Sequence, residues 1–397
     1  MKYETVEKQF HTLSSQEFKE WFEKKANSNS TFHFDFEIGG SKAFFCFEVP
    51  IFNKILNISN KNNDLNTLFR SLPKIASDQY IRNSLVVDVK KTNEIEGVFS
   101  SRKEIFELTE DLKKRKSNKI GSIVNKYVML LNGKSEKKIT SCEDIRKIYD
   151  EMFFSEDESL IDPDKVPDGK LFRKDYVGVY DIGGREPVHK GIVPEEKIID
   201  YLNKAIFILN NEELNIFIRI SLFHYLFEYI HPFYDGNGRI GRYLVSMMVK
   251  NKISEIFAFR ISSGINNYRS KYYKAFKETE NVLNKGDLTL FVYEFLDILD
   301  KTYDDCIKYA NGRQQELKLK YNEWKNKFNK LSKNEDRVLY VLTQATIFSD
   351  FGITISEIQK TLSISIRTIR RCIDLFKNKN ILVEQKYSKK VFYTLKD

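Results

Sequence analysis

From Phe32 to Val49 (FHFDFEIGGSKAFFCFEV) apolar and polar residues alternate on either side of Gly39-Gly40, a spacing that predicts two short strands joined by a tight turn. The rest of the opening third carries no clear period. From about Ser71 the pattern turns helical and stays so for most of the chain, with no internal repeat. Residues Ser155 to Lys170 hold two of the seven prolines and several turn formers, which predicts a loop. Directly after it, Val177 to Gly191 (VGVYDIGGREPVHKG) predicts a second hairpin turning at Gly183-Gly184. Between Glu212 and Ile230 an apolar run is broken, after its acidic start, only by Asn215, Arg219, Ser221, His224 and Glu228. Apolar side chains on nearly every face predict a helix buried inside a helical domain. A second helix is expected from about Arg239 to Lys250. Helical spacing continues from Asp287 to about Leu331, ending in a highly charged connecting helix. From Asn334 the pattern reads as a separate small module, with helices at Asp336–Gln344, Ile355–Leu362 and Ser365–Leu382 and a terminal strand pair.

Composition narrows the class without naming a function. The 397 residues are 41% hydrophobic and 30% charged, with only 7 Pro and 17 Gly, the balance of a globular chain with ample core material. Lys+Arg 65 against Asp+Glu 56 leaves +9, an excess compatible with nucleic-acid contact but too dilute to demand it. The four cysteines are scattered, with no CxxC, and there is no HxxxH. A zinc site or disulfide framework is therefore disfavoured, and a reducing, cytoplasmic compartment is the expectation. The N-terminus lacks an apolar signal core, and no apolar run is long enough to span a bilayer.

The chemistry lies in His231-Pro-Phe-Tyr-Asp-Gly-Asn-Gly-Arg-Ile-Gly-Arg242. Gly236 and Gly238 allow positive φ, so consecutive N–H groups can face one concavity. That concavity opens the N-terminus of the following helix, which favours an anion. Arg239 and Arg242 can each grip a phosphate bidentately. Asp235, the loop's one carboxylate, supplies the hard oxygen that Mg²⁺ needs beside phosphates. Asn237 can donate to a phosphate oxygen. His231, at the end of a rigid helix, offers an imidazole to take a proton from an incoming hydroxyl. Together they predict phosphoryl or nucleotidyl transfer.

These twelve residues match the signature HxFx(D/E)GNGRxxR of the Fic family, and the resemblance extends over about residues 76–330. GKLFR (Gly169 to Arg173) looks like the segment before that family's target-binding flap; SKYYKAF and GDLTLFVYEFL look like its later helices. The resemblance implies transfer of AMP from ATP to a Ser, Thr or Tyr hydroxyl of a protein. His231 would be the base and Asp235 would hold Mg²⁺. Asn237 with the Gly236 and Gly238 backbone would steady phosphate charge, and Arg239 and Arg242 would hold the outer phosphates. Phe233 would be a core anchor without a catalytic part. Glycine at 238, where the phosphorylating Doc branch carries lysine, favours the adenylylating orientation. Residues Val177, Gly178, Val179 and Tyr180 would form the flap edge on which an extended target segment docks.

Upstream, Thr92-Asn-Glu-Ile-Glu96-Gly97 resembles the inhibitory motif (S/T)xxxE(G/N) that precedes the core in one class of Fic proteins. The resemblance implies a helix at about 78–98 whose Glu96 pairs with Arg242 and blocks the outer phosphate. The terminal module resembles a winged helix-turn-helix. Ser365 would cap its third helix, Ile366, Ile369, Ile373 and Phe376 would face inward, and Arg367, Arg370 and Arg371 outward, for DNA or protein contact through residues 334–397.

The expected fold is therefore mainly α: an N-terminal region (1–104) with a hairpin and the inhibitory helix, a Fic core with flap and connecting helix (105–332), and a winged-helix domain (333–397). The expected partner is a protein substrate, with a homodimer implied only by relatives that pair. Two alternatives stay open: an enzyme that also removes AMP, and a DNA-binding regulator with a weakly active core.

Overall fold

The structure, a computed structural model, describes residues 3–135, 138–154, 162–180 and 187–396. Helices α1 (Val6–Thr12) and α2 (Ser15–Ala26) lead into the expected hairpin, β1 (Thr31–Ile38) with β2 (Ser41–Cys46). Ser14 closes a capping box with Glu17 at the start of α2. Next come α3 (Val49–Ser71) and α4 (Lys74–Ile95). The 23-residue α3 begins far upstream of the point where helical spacing becomes legible. Its asparagine-rich face hides the stripe Ile51, Ile55, Ile58, Leu65 and Phe69, all buried.

Short helices α5 (Arg102–Glu110) and α6 (Leu112–Lys116) precede α7 (Gly121–Leu131) and α8 (Cys142–Phe153). The flap strands β3 (Gly178–Tyr180) and β4 (Pro187–Lys190) pair antiparallel, Gly178 opposite Lys190 and Val179 opposite His189. The predicted turn at Gly183-Gly184 and the first part of the predicted loop, 155–161, lie outside the described residues. Helices α9 (Glu195–Asn210), α10 (Ile216–Ile230) and α11 (Asn237–Lys252) build the centre. Helix α10 is buried almost throughout, as its all-round apolar pattern requires. Helices α12 (Glu255–Ala258), α13 (Ile261–Asn267) and α14 (Arg269–Glu280) lead to α15 (Thr289–Lys325), a single 37-residue helix. It lies along α3, and the pair is laced by Lys54 to Asp297 and Asp300 (2.5 and 2.9 Å) and Lys61 to Asp300 and Asp304 (2.6 and 2.7 Å). One continuous apolar core joins the N-terminal segments to the central helices.

The C-terminal segment consists of α16 (Lys333–Phe348), α17 (Ile355–Leu362), α18 (Ile366–Asn378) and the hairpin β5 (Leu382–Tyr387) with β6 (Lys390–Leu395). It has its own core around Leu339, Ile358, Ile369 and Phe376, which also takes in Ile75 and Trp324. Ser365 caps α18, and Arg367, Arg370 and Arg371 are exposed. Ile366 departs from expectation. At the first helical position it is 39% exposed, and Cys372 fills the inward face instead. The segment clamps α4 and α5: Arg82 bridges Glu110 and Glu357, and Phe106 stacks on Phe351 with centroids 3.9 Å apart. No described helix is long and apolar enough to cross a membrane.

Candidate active site

The chain leaves α10 through His231, whose backbone is left-handed (φ 53, ψ 61), and enters α11 through Gly236 at φ 84. A side chain at Gly236 would collide with the Phe153 ring, so this bend requires glycine twice over. Asn237 closes the bend. Its Oδ1 accepts from the Phe233 amide (2.9 Å) and its Nδ2 donates to the Phe233 carbonyl (2.7 Å). The side chain expected to meet a phosphate is thus largely spent on shaping the loop, leaving one Nδ2 hydrogen uncommitted. Phe233 is fully buried and stacks on Tyr149 at 3.8 Å. The N–H groups of Asn237, Gly238 and Arg239 precede the first intrahelical bond, which Ile240 donates to Gly236. They form the electropositive mouth of α11.

His231 Nδ1 lies 3.1 Å from the Glu228 carbonyl. A carbonyl only accepts, so Nδ1 carries the proton and Nε2 keeps its lone pair. Burial pushes the imidazole pKa down to about 4, which keeps it neutral at physiological pH. Asp235 accepts from the Gly236 amide (2.6 Å) and Arg239 (3.0 Å) and pairs with Lys165 (2.9 Å). Despite partial burial, these cations and donors hold its carboxyl below the usual range. Arg239 also lies 4.6 Å over the Phe153 ring. Arg242 is almost fully buried. Its Nε donates to Thr92 Oγ1 (2.9 Å), and its Nη2 donates to the Thr92 carbonyl (3.0 Å) and Glu96 Oε1 (2.7 Å).

Helix α4 therefore reaches the loop with its last turn, and it ends at Ile95, not at 98. Glu96 is its C-cap and Gly97 follows at φ 73, the left-handed turn that ends the helix beside Arg242. Asp88 pins α4 further back by accepting from the Ser262 and Ser263 amides (2.8 and 3.2 Å). The Glu96 carboxylate stands against Gly238, where any Cβ would overlap it. A carboxylate thus stands beside the mouth of α11, paired with Arg242.

Several residues around the loop support it, among them Arg173 of the GKLFR segment and the flap strand expected from the sequence. Arg173, fully buried, donates Nε to the His231 carbonyl (2.8 Å), Nη1 to Asp175 (2.6 Å) and Nη2 to the carbonyls of Ile192 (2.9 Å) and Ile230 (3.3 Å). It caps the C-terminus of α10 under the histidine. Glu195 shapes the GKLFR segment by accepting from the amides of Lys170, Leu171 and Phe172 (2.9, 2.7 and 2.8 Å). His189 ties the flap to Glu280 (2.9 Å) and to the Tyr229 carbonyl (2.6 Å). Val177 accepts from Gly191 through its carbonyl, and Gly178, Val179 and Tyr180 form β3 beside it.

Glu228 packs its carboxyl against Gly241, and its Oε1 has no hydrogen-bond partner among the described residues. Burial pushes its pKa up to about 8, with Arg242 opposing and Glu96 reinforcing the shift. An unfolded glutamate ionises near pH 4.3, so the folded state holds the extra proton between those values and stability falls as pH rises through them. Glu228→Gln is expected to raise the melting temperature at pH 8 and leave it nearly unchanged near pH 4.5. A difference in Tm that does not vary with pH would refute the assignment.

The chain resembles known proteins over part of its length. Over 72 residues the chain is 40% identical to a probable protein adenylyltransferase from Aquifex aeolicus, a match covering 18% of this chain and 20% of that one. Over 155 residues it is 31% identical to protein adenylyltransferase Fic from Drosophila willistoni, covering 38% and 28%. The chain thus spans less than a third of the length of either relative. Among solved structures, a Fic family protein from Desulfovibrio desulfuricans aligns with TM-score 0.47 and 17% identity over 88% of this chain and 97% of its own. Fic-1 from C. elegans aligns with TM-score 0.45 and 20% identity over 67% and 75%. The loop from His231 to Arg242, all of α10 and most of α11 fall within residues 139–249, and it is this stretch of the chain that matches the Fic/DOC family.

Proposed function

We propose that the protein transfers AMP from ATP to a hydroxyl of a target protein, and that Glu96 holds this activity back in cis. The observation that carries the reading is the Glu96 carboxylate seated on Arg242 at the mouth of α11, where an outer phosphate of a nucleotide would otherwise lie. The naming of two relatives as protein adenylyltransferases supports the chemistry.

In this reading Nε2 of His231 takes the proton of the target hydroxyl as its oxygen bonds to the α-phosphorus. The bond from that phosphorus to the bridging oxygen breaks, and diphosphate leaves with its electron pair. The first-turn amides of α11, with Arg239, steady the phosphate charge. Arg242 joins them once Glu96 withdraws. The target segment would add to the edge of β3 at residues 177–180 and bring its hydroxyl to His231.

A divalent cation fits Asp235, which is ionised, about one-third exposed and bordered by Lys165, a cation that Mg²⁺ would replace. Among the described residues no cluster of three or more ligating side chains exists, so such an ion would draw its other oxygens from phosphates and water. When bound, Mg²⁺ neutralises phosphate charge. Incubating the Glu96→Gly form with ATP and measuring intact mass tests the proposal: a gain of one AMP moiety is expected on the enzyme and on proteins of a lysate, and a phosphate-sized gain would reject it.

Arg173 offers a second check. Lysine keeps the charge but cannot reach all four carbonyls, so Arg173→Lys should release His231 from its strained backbone. In the Glu96→Gly background kcat is expected to fall about 10²-fold, the cost of misplacing a reacting group by an ångström, with KM for ATP nearly unchanged. Equal losses in both parameters would mark Arg173 as a general fold element only.

A further inference from the structure

A cavity of about 230 Å³ lies against α4, where five parts of the chain meet. Tyr80 and Asn83 of α4, Arg102 at the start of α5, Arg260 before α13, Arg313 of α15 and Asp350 after α16 face it. Three guanidiniums thus confront one carboxylate. Arg102 pairs with Asp350 (2.7 Å) at the half-exposed rim. Arg313 lies 5.1 Å over the Tyr309 ring and pairs with Glu316 of its own helix (2.7 Å). Arg260 forms no ion pair with a carboxylate among the described residues, although Asp88, Tyr80 and Cys306 lie near enough to favour its charge against burial. Arg260 Nε and Asn83 Oδ1 are both buried without a hydrogen-bond partner among the described residues. Turning the Asn83 amide exchanges that oxygen for a donor.

We propose that this cavity binds a phosphate dianion, free or carried on a small monoester, and that its occupancy tightens the hold of Glu96 on Arg242. A tetrahedral dianion can receive from three guanidinium forks at once, whereas a carboxylate is matched by one. The volume falls below the roughly 300–1,000 Å³ of pockets for larger organic ligands, which suits a phosphate group or a small monoester. The site exists in the arrangement that also seats Glu96, and Asn83 stands on the same rigid helix, about 20 Å upstream at 1.5 Å per residue. A ligand gripped by Asn83 of α4, Arg102 of α5, Arg260, and Arg313 of α15, with Arg102 released from Asp350, favours that arrangement over any in which α4 moves.

This second half rests on the proposed adenylyl transfer; the first does not. Calorimetry at fixed ionic strength, with chloride as balance, measures inorganic phosphate and glycerol 3-phosphate separately on the full chain. Saturable binding is expected, weakened about tenfold or more in Arg102→Ala/Arg313→Ala, because each hydrogen bond to a charged group contributes about 1.5–3 kcal/mol. Arg102→Lys/Arg313→Lys should recover part of it, and Arg239→Ala, in the nucleotide loop, should leave it intact. The tighter of the two ligands identifies the source. Equal affinity in wild type and the double alanine variant, or loss in Arg239→Ala instead, would overturn the site.

Saturating phosphate should also lower self-labelling of wild type by about fivefold or more while sparing the Glu96→Gly form. Binding without that effect would overturn the coupling. Absence of labelling from the Glu96→Gly form at every phosphate concentration would fall on the adenylyl transfer, with the calorimetric result standing by itself.

Discussion

Glu96→Gly is expected to raise self-labelling and target labelling by AMP about 5–150-fold over wild type, the span of coupling energies of 1–3 kcal/mol. The reasoning starts from Arg242. It is buried and holds its charge on Thr92 and Glu96 alone among the described side chains within bonding distance. A nucleotide phosphate must displace the Glu96 carboxylate to reach it, and must do so against like charge. Removing the carboxylate removes both the competitor and the repulsion, while Thr92 keeps the guanidinium in place. Glycine also avoids any side chain against Gly238. Radiolabel transfer from α-³²P-ATP, followed across ATP concentrations, measures the gain. Equal labelling of the two forms at every concentration would show that Glu96 is no brake.

His231→Ala in the Glu96→Gly background should cost about 10²–10⁴-fold in kcat, the usual contribution of a positioned general base. ATP affinity should be nearly unchanged, because in the proposed reaction the imidazole would meet the acceptor hydroxyl while α11 holds the phosphates. The pH dependence sharpens the test. Burial lowers the folded pKa of His231 to about 4, so the proton-accepting form is fully present at neutral pH and is lost only as pH falls through that value. The acid limb of kcat in the Glu96→Gly form should therefore lie well below the pH of about 6.5 at which a free histidine titrates. An acid limb near 6.5, or near-normal turnover in the alanine variant, would remove His231 from the role of base.

The site divides cleanly by how far apart in the chain its parts are. His231, Asp235, Gly236, Asn237, Gly238, Arg239 and Arg242 could be grouped from the sequence because a bend and the first two turns of one helix hold all of them, so spacing alone puts them together. Glu96 could be named only through a motif resemblance, since nothing local distinguishes a glutamate at a helix end from a solvated one. The contacts of Arg173, Glu195, His189 and Glu228 were not readable. Each residue acts on a backbone carbonyl, amide or side chain that the chain brings near only on folding. Asn237 shows the reverse case: its type suited a phosphate, yet its amide is turned back onto Phe233.

The same division runs through the fold. The hairpin at Gly39-Gly40, the buried α10 and the long reach of α15 follow from periods that the residues carry themselves. Helix α3 does not, because its asparagines favour no helix and its apolar stripe acquires meaning only against α15. Local sequence thus determined most of the elements and gathered the residues from His231 to Arg242 at the start of one helix. Only the tertiary structure brings a carboxylate from 146 residues upstream onto Arg242, because a buried guanidinium must be paired and folding puts Glu96 within its reach.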